Sequence, residues 1–146
     1  MTPQYWAGFF DGEGCVRIQK QRNGRYADSY ALTVSLSNTD RGILDRLRET
    51  FVGVVQNKRT TSNKAWWSPA WAWRIHGNAA VDFLEAIEPF AIVKHSEIAI
   101  ALEYQRGVNP GNSRPISASE RARRDDCYRR LKTFKTHRPR WADEVA

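Results

Sequence analysis

Trp6-Ala7-Gly8-Phe9-Phe10-Asp11-Gly12-Glu13-Gly14 is the stretch from which the rest of this chain can be read. Thr2 suits a helix N-cap and Pro3 the first helical position, so a helix is predicted from Pro3 to about Asp11. Ala7 and Gly8 form a small pair in its middle, where another backbone can approach closely. Gly12 and Gly14 are expected to end it, leaving Glu13 just past the last turn, at the entrance to a strand. Acids near a helix C-terminus oppose the macrodipole, so an acid at this exit suggests another use. The hard oxygens of Glu13, with the Gly12 carbonyl, suit Mg²⁺, which keeps several waters and binds a substrate phosphate.

Outward from that corner the periodicity changes. Val16, Ile18 and Lys20 alternate with Arg17, Gln19 and Gln21, a period-two strand from Cys15 to Gln21. Asn23-Gly24 is a hairpin turn signal. A second strand, Ser29 to Ser37, puts Tyr30, Leu32, Val34 and Leu36 on one face and small polar residues on the other. Thr39 or Asp40 then caps a helix with an Ile43, Leu44, Leu47, Phe51 stripe, which Gly53 ends. Strands follow at Val54–Arg59 and Ala70–His76, the latter with Trp71, Trp73 and Ile75 inward. Asn78 is expected to cap a helix with Val81, Leu84 and Ile87 inward, ending near Pro89. Helices over Ser96–Arg106 and from Ser117 or Ser119 to about Phe134 complete the order. The result is α-β-β-α-β-β-α with extra C-terminal helices, an α+β chain built on a four-stranded antiparallel sheet. Its expected divisions are a core over 1–106, a loop over 107–116 and a basic helix and tail over 117–146.

An antiparallel sheet needs only one covered face. The open one carries Arg17, Gln19, Gln21, Asn23, Ser29, Thr33, Ser35, Gln56, Lys58 and Arg74. Its first strand has no acid, whereas an ordinary solvated face mixes both signs. Arg and Lys neutralise phosphates, while Gln, Asn, Arg and Ser reach base edges, so this face is read as binding double-stranded DNA. The formal net charge of +7 points the same way. Arg121, Arg123, Arg124, Arg129, Arg130 and Lys132 in the last helix are read as a clamp on the DNA backbone. The composition, 41% hydrophobic, is that of a globular chain. No apolar run approaches the roughly 20 residues of a membrane span. Neither a secretory signal nor a zinc signature is recognisable, and Cys15 and Cys127 lie in unrelated contexts, so an intracellular location, cytoplasmic or organellar, is expected.

Trp6 to Gly14 resembles the signature of LAGLIDADG homing endonucleases in its Gly-Phe-Phe-Asp-Gly-Glu-Gly variant, with Trp6 where Leu is usual. The element order over about residues 4 to 106 is also similar to that family's core. The resemblance implies a site-specific endonuclease, often intron-encoded, that makes a double-strand break by metal-dependent phosphodiester hydrolysis. It assigns Glu13 as the catalytic acid holding Mg²⁺ or another divalent cation, with the Gly12 carbonyl as second ligand and no small-molecule cofactor. Glu88-Pro89-Phe90-Ala91-Ile92-Val93-Lys94 resembles the stretch ending in a catalytic-site lysine, which makes Lys94 that residue. Asn38 falls where the family places a solvent-positioning Gln, and Arg41 is a further phosphate candidate. No second copy of the motif is present, and in this family one motif per chain implies a homodimer with Ala7, Gly8 and Asp11 at its interface. Such a C₂ pair reads a near-palindromic site. The alternative is an RNA-splicing maturase or a DNA-binding regulator on the same fold, without cleavage.

Overall fold

The computed structural model describes residues 1–25, 28–58, 69–108 and 116–136. Helix α1 spans Pro3–Glu13, and the Thr2 hydroxyl accepts the Tyr5 N–H at 3.3 Å, as an N-cap should. It runs two residues beyond the predicted Asp11, so Glu13 is its last residue rather than a residue outside it. Gly12 stays helical. The break comes at Gly14, which is extended (φ −82°, ψ 158°) with its N–H closed onto the Phe10 carbonyl. A Cβ at Gly14 would lie 2.1 Å from the buried Phe10 ring. Close approach, not a left-handed backbone, therefore demands glycine there.

Strands β1 (Gly14–Gln21), β2 (Ser29–Asn38), β3 (Val54–Lys58) and β4 (Ala70–His76) form one antiparallel sheet in the order β1-β2-β4-β3. Two hairpins thus meet along β2 and β4. Register sets the faces, because residues directly opposite each other project from the same side. Val16 pairs Val34, which pairs Ile75, and all three are buried. Arg17 pairs Thr33 and Ser35 pairs Arg74 on the other side. Among the described residues, helices cover the first side and leave the second open, as the alternation predicts.

Helix α2 (Arg41–Phe51) is capped by Asp40, whose carboxylate accepts the Gly42 N–H at 2.8 Å. It ends at Val52 (φ 61°), one residue before the expected Gly53. The Trp73 indole donates to the Val52 carbonyl at 2.8 Å and holds that unusual backbone in place. Helix α3 (Asn78–Ile87) is preceded by Gly77 at φ 56°, and Asn78 does not cap it. The Asn78 carboxamide instead accepts from Gln105 of α4 (His95–Arg106) at 2.8 Å. A 3₁₀ turn, Glu88–Phe90, joins these helices at Pro89. Phe83 is the hub of the core, edge-on to Phe10, Phe51 and Trp73 at centroid distances of 5.5, 5.1 and 5.0 Å.

Helix α5 (Ala118–Thr136) packs on α4 and β1. The Ser117 hydroxyl accepts the Glu120 N–H at 3.1 Å and starts it. No helix of the described residues is long and apolar enough to cross a membrane. Trp66, Trp67, Arg59, most of the 107–116 loop and the tail past residue 136 lie outside the described residues.

Candidate active corner and nucleic-acid face

Glu13 is exposed at the end of α1, next to the start of β1, and Gly12 is exposed beside it. The residue before them is tied down. The Asp11 carboxylate accepts the Ile92 N–H at 2.8 Å on one oxygen and the Lys94 N–H at 2.9 Å on the other. The Lys94 ammonium returns the contact, donating to the Asp11 carbonyl at 2.6 Å. A cation meets the negative end of the α1 dipole there, which is a favourable pairing. Chain reversal around Pro89 brings these residues, 83 positions apart, into reciprocal contact.

Lys94 is 8% exposed, and its ammonium is directed to the end of α1, beside the Gly12-Glu13 corner. Asp11, expected at an interface, spends its carboxylate on its own chain. Asn38 lies at the same end of the sheet as Glu13, two residues past Leu36, the partner of Gly14. It shares the parity of buried Leu36, and its side-chain oxygen accepts the Asp40 N–H at 2.8 Å. Asn38 therefore shapes the entry to α2, and Ser37 is the neighbour on the open face. Arg41 places its guanidinium over the Trp71 ring at 4.6 Å and pairs with Asp45 at 3.5 Å.

The small-residue surface is also relocated. Ala7 is fully buried in its own core, so its size serves internal packing. Gly8 and Gly12 stand one turn apart on the exposed side, and a Cβ at either would meet nothing within 4 Å. The loop that Asp11 clamps exposes Ile92 at 86% and Val93 at 51% nearby. Among the described residues nothing explains two glycines in a helix, where each costs about 1 kcal/mol relative to Ala.

The open face assembles as the register requires. Arg17, Gln19 and Gln21 stand on β1, Ser29, Thr33 and Ser35 on β2, Arg74 on β4, and Gln56 and Lys58 on β3. Asn23 sits in the turn and its amide reaches the Ser29 hydroxyl at 3.4 Å. His76 also belongs to this face, opposite Thr33. Cross-strand Thr33 holds its Nδ1 through the hydroxyl at 3.1 Å. The alternation that placed Arg74 also places His76.

The last helix differs from the expected clamp. Arg123 donates to the carbonyls of Glu103 and Tyr104 at 3.1 and 3.0 Å, capping α4. Arg123 and Arg124 bind Glu120 at 2.8 and 2.9 Å, and Arg130 binds Glu103 at 2.9 Å. The Arg123 bond, then Arg124, pulls the Glu120 carboxyl down to about 2 against the burial that raises it. Four of the six cations are thus ion-paired, Arg129 with Asp125 at 2.7 Å among them, and two, Arg123 and Arg130, tie α5 to α4. Asp125 completes the attachment, accepting from Tyr30 at 2.6 Å and Lys20 at 2.8 Å. The Lys20 bond, followed by the Tyr30 bond, lowers the Asp125 carboxyl.

Among the described residues, no three His, Cys, Asp or Glu side chains converge as a metal cluster. One carboxylate and one adjacent carbonyl are hard-oxygen donors of the kind Mg²⁺ takes together with water and phosphate, so the donor chemistry fits while the ligand set is partial.

A family model described as LAGLIDADG endonuclease matches residues 6–85, more than half of the chain. No curated protein sequence matches. Among solved structures, an archaeal intron-encoded homing endonuclease, I-Vdi141I, complexed with DNA, is similar with a TM-score of 0.72 and 17% identity, over 90% of this chain and 82% of that one. The homing endonuclease I-TnaI gives 0.62 at 20% identity, covering 93% and 97%. I-CvuI, bound to the I-CreI target, gives 0.60 at 18%, covering 89% and 94%. At these identities the likeness is one of fold.

Proposed function

This chain belongs to the LAGLIDADG endonuclease family, and from that membership we propose that it is a single-motif homing endonuclease that makes a double-strand break in a long, near-palindromic DNA site. The observation that carries the proposal is Glu13, an exposed carboxylate at the head of an acid-free polar strand, on a corner clamped from behind by Asp11 and Lys94. That clamp spends binding energy on locating an acid that makes no use of it for folding.

The open face supplies duplex binding. Arg17, Lys58 and Arg74 meet phosphates, and Gln19, Gln21, Gln56, Ser29, Ser35 and the Thr33–His76 pair reach base edges. Glu13 and the Gly12 carbonyl would hold a divalent cation, which supplies Lewis-acid charge stabilisation and a water of lowered pKa. Lys94 and Asp11 keep those two oxygens at a fixed distance from the sheet, so the scissile phosphate is positioned by the same body that reads the bases.

The chain acts as a homodimer in this reading. Gly8 and Gly12 give a smooth helix surface with no use inside the chain, and the exposed Ile92 and Val93 flank it. A two-fold through that surface brings two Glu13 carboxylates together and completes a ligand set that one chain leaves partial. Support for DNA as the substrate comes from the fold relatives, of which I-Vdi141I and I-CvuI were solved on DNA.

The test is Mg²⁺-dependent cleavage of duplex DNA spanning the gene's own insertion site, by wild type and Glu13→Gln. The wild type is expected to cut and the variant to bind without cutting. Equal cutting by both removes Glu13 from the mechanism, and binding without cutting by the wild type favours the regulator.

A further inference from the structure

Strand β4 ends in His76, exposed on the open face and directly opposite Thr33 of β2. The Thr33 hydroxyl lies 3.1 Å from Nδ1 of the ring. Among the described residues Nε2 has no partner, so it is the nitrogen left for a ligand on that face. A neutral imidazole carries one N–H, and a hydroxyl both donates and accepts. With the proton on Nδ1, the ring donates to Thr33 and Nε2 accepts. With the proton on Nε2, Thr33 donates to Nδ1 and Nε2 donates. The hydroxyl satisfies the ring in either tautomer, so neutral His76 presents an acceptor or a donor as its ligand requires. A second proton ends that choice: Nδ1 donates to Thr33, and Nε2 is a donor only.

The neighbours of the ring are few. Among the described residues, the charged groups on its side of the sheet are Arg17, opposite Thr33 on β1, and Arg74, two residues back along β4. The nearest residue of β2 on this face after Thr33 is the uncharged Ser35. β3 opposes β4 only as far as Arg74, which meets Val54, and α3 starts beyond the strand with the uncharged stretch Asn78 to Val81. The arginines of the face donate at every pH, and its glutamine amides keep both polarities at every pH. Histidine ordinarily changes charge between about pH 5 and 8, so the imidazole exchanges one behaviour for the other. Base edges differ in just this respect. In the major groove guanine presents the N7 and O6 acceptors, whereas cytosine presents the N4 amino donor. An Nε2 that does either accepts both orientations of a G·C pair. An Nε2 that only donates reads guanine and is set against cytosine, donor to donor. We infer that Thr33 and His76 form a protonation-dependent specificity element. At alkaline pH it tolerates guanine or cytosine at one position in each half-site, and at acid pH it selects guanine. The inference rests on the reading of the open face as a duplex site.

The experiment measures the affinity of the full chain for duplex DNA spanning the gene's own insertion site and for each single-base variant of it. Binding is read in Ca²⁺ to prevent cutting, at about pH 5.5 and about pH 8.5, towards either end of the histidine range. For the wild type, the preference for guanine over cytosine at one position per half-site is expected to be about fivefold greater at the acid pH, the low end of what one base contact discriminates. The other positions should keep their ranking. His76→Gln, whose amide carries both polarities and does not titrate, should be tolerant there at both pH values. His76→Lys, a donor at both, should select guanine at both. Wild-type duplex binding with the same base preferences at both pH values overturns the element and leaves the open face standing. A pH-dependent preference that persists in His76→Gln overturns it too, by assigning the titration to another group. A pH effect spread evenly over all the variants overturns it by making the imidazole a phosphate contact. Absence of any wild-type duplex binding overturns the element and the reading of the open face together.

Discussion

Replacing Asp11 with Asn separates the clamp from the chemistry. Two N–H groups converge on the Asp11 carboxylate, from Ile92 at 2.8 Å and Lys94 at 2.9 Å. Asn has the same shape, but one oxygen becomes an NH₂. It can satisfy one amide, and the other then faces a donor. A hydrogen bond to a charged acceptor contributes about 1.5–3 kcal/mol. Because Asp11 is half-exposed, water partly replaces the lost bond, and the expected cost is about 2 kcal/mol. With a urea m-value of about 2 kcal/mol/M, the unfolding midpoint should fall by about 1 M with the slope unchanged. The same variant should need more Mg²⁺ for half-maximal cleavage, because the 91–94 loop no longer holds the end of α1. Glu13→Gln is the counterpart, with an unchanged midpoint and no cutting. If Asp11→Asn unfolds within about 0.2 M of wild type and cleaves with the wild-type Mg²⁺ dependence, the clamp does not position the corner and the reasoning fails.

Two glycines of the motif, Gly14 and Gly8, should separate by mechanism. Gly14→Ala drives a Cβ to 2.1 Å from the Phe10 ring and should destabilise the chain by about 1–3 kcal/mol, read from urea unfolding. Gly8→Ala meets nothing in its own chain, so it should leave the unfolding midpoint of dilute protein unlowered while weakening dimerisation about tenfold, or 1.4 kcal/mol, by sedimentation. The hold of α5 should show acid sensitivity. Glu120 at about 2, with Asp125 and Glu103 also lowered, contributes stability that is present above the ordinary carboxylate value of 4.5 and disappears as pH falls toward 2. Amide exchange in α5 should accelerate over that interval; protection that is flat there would contradict the ion-pair attachment. His76→Ala should relax base preference at one position per half-site in a cleavage survey of single-base variants, with little change in salt slope. Uniform weakening across all sequences would make His76 a phosphate contact instead.

Much of the molecule was legible before any coordinates. Strand alternation depends on neighbours two residues apart, so Val16, Ile18, Leu32 and Val34 sorted themselves inward and Arg17, Gln19, Thr33 and Ser35 outward without tertiary information. Local signals likewise yielded the α1 cap at Thr2, the α2 cap at Thr39 or Asp40, of which Asp40 is the one used, and a four-stranded antiparallel sheet. Errors gathered where a side chain had a choice of partner. Asn78 looks like a cap in isolation, yet Gln105 of α4, 27 positions away, takes its oxygen. Local propensity does not contain such competitors.

By itself the sequence determined the fold class, the open polar face and Glu13 as the acid at its head, because each follows from residues within a few positions of one another. Tertiary structure alone decided what surrounds that acid. Lys94 turns its ammonium to the Asp11 carbonyl, and Ala7 is consumed by the core. The exposed small surface is therefore Gly8 with Gly12. Of the arginines that read as a DNA clamp, Arg123 caps α4 and Arg130 pairs with Glu103 because one helix packs on the other, while Arg123 and Arg124 pair with Glu120, and Arg129 with Asp125, within α5 itself. Charge in a sequence is unassigned; packing distributes it between the protein's own carboxylates and its ligand.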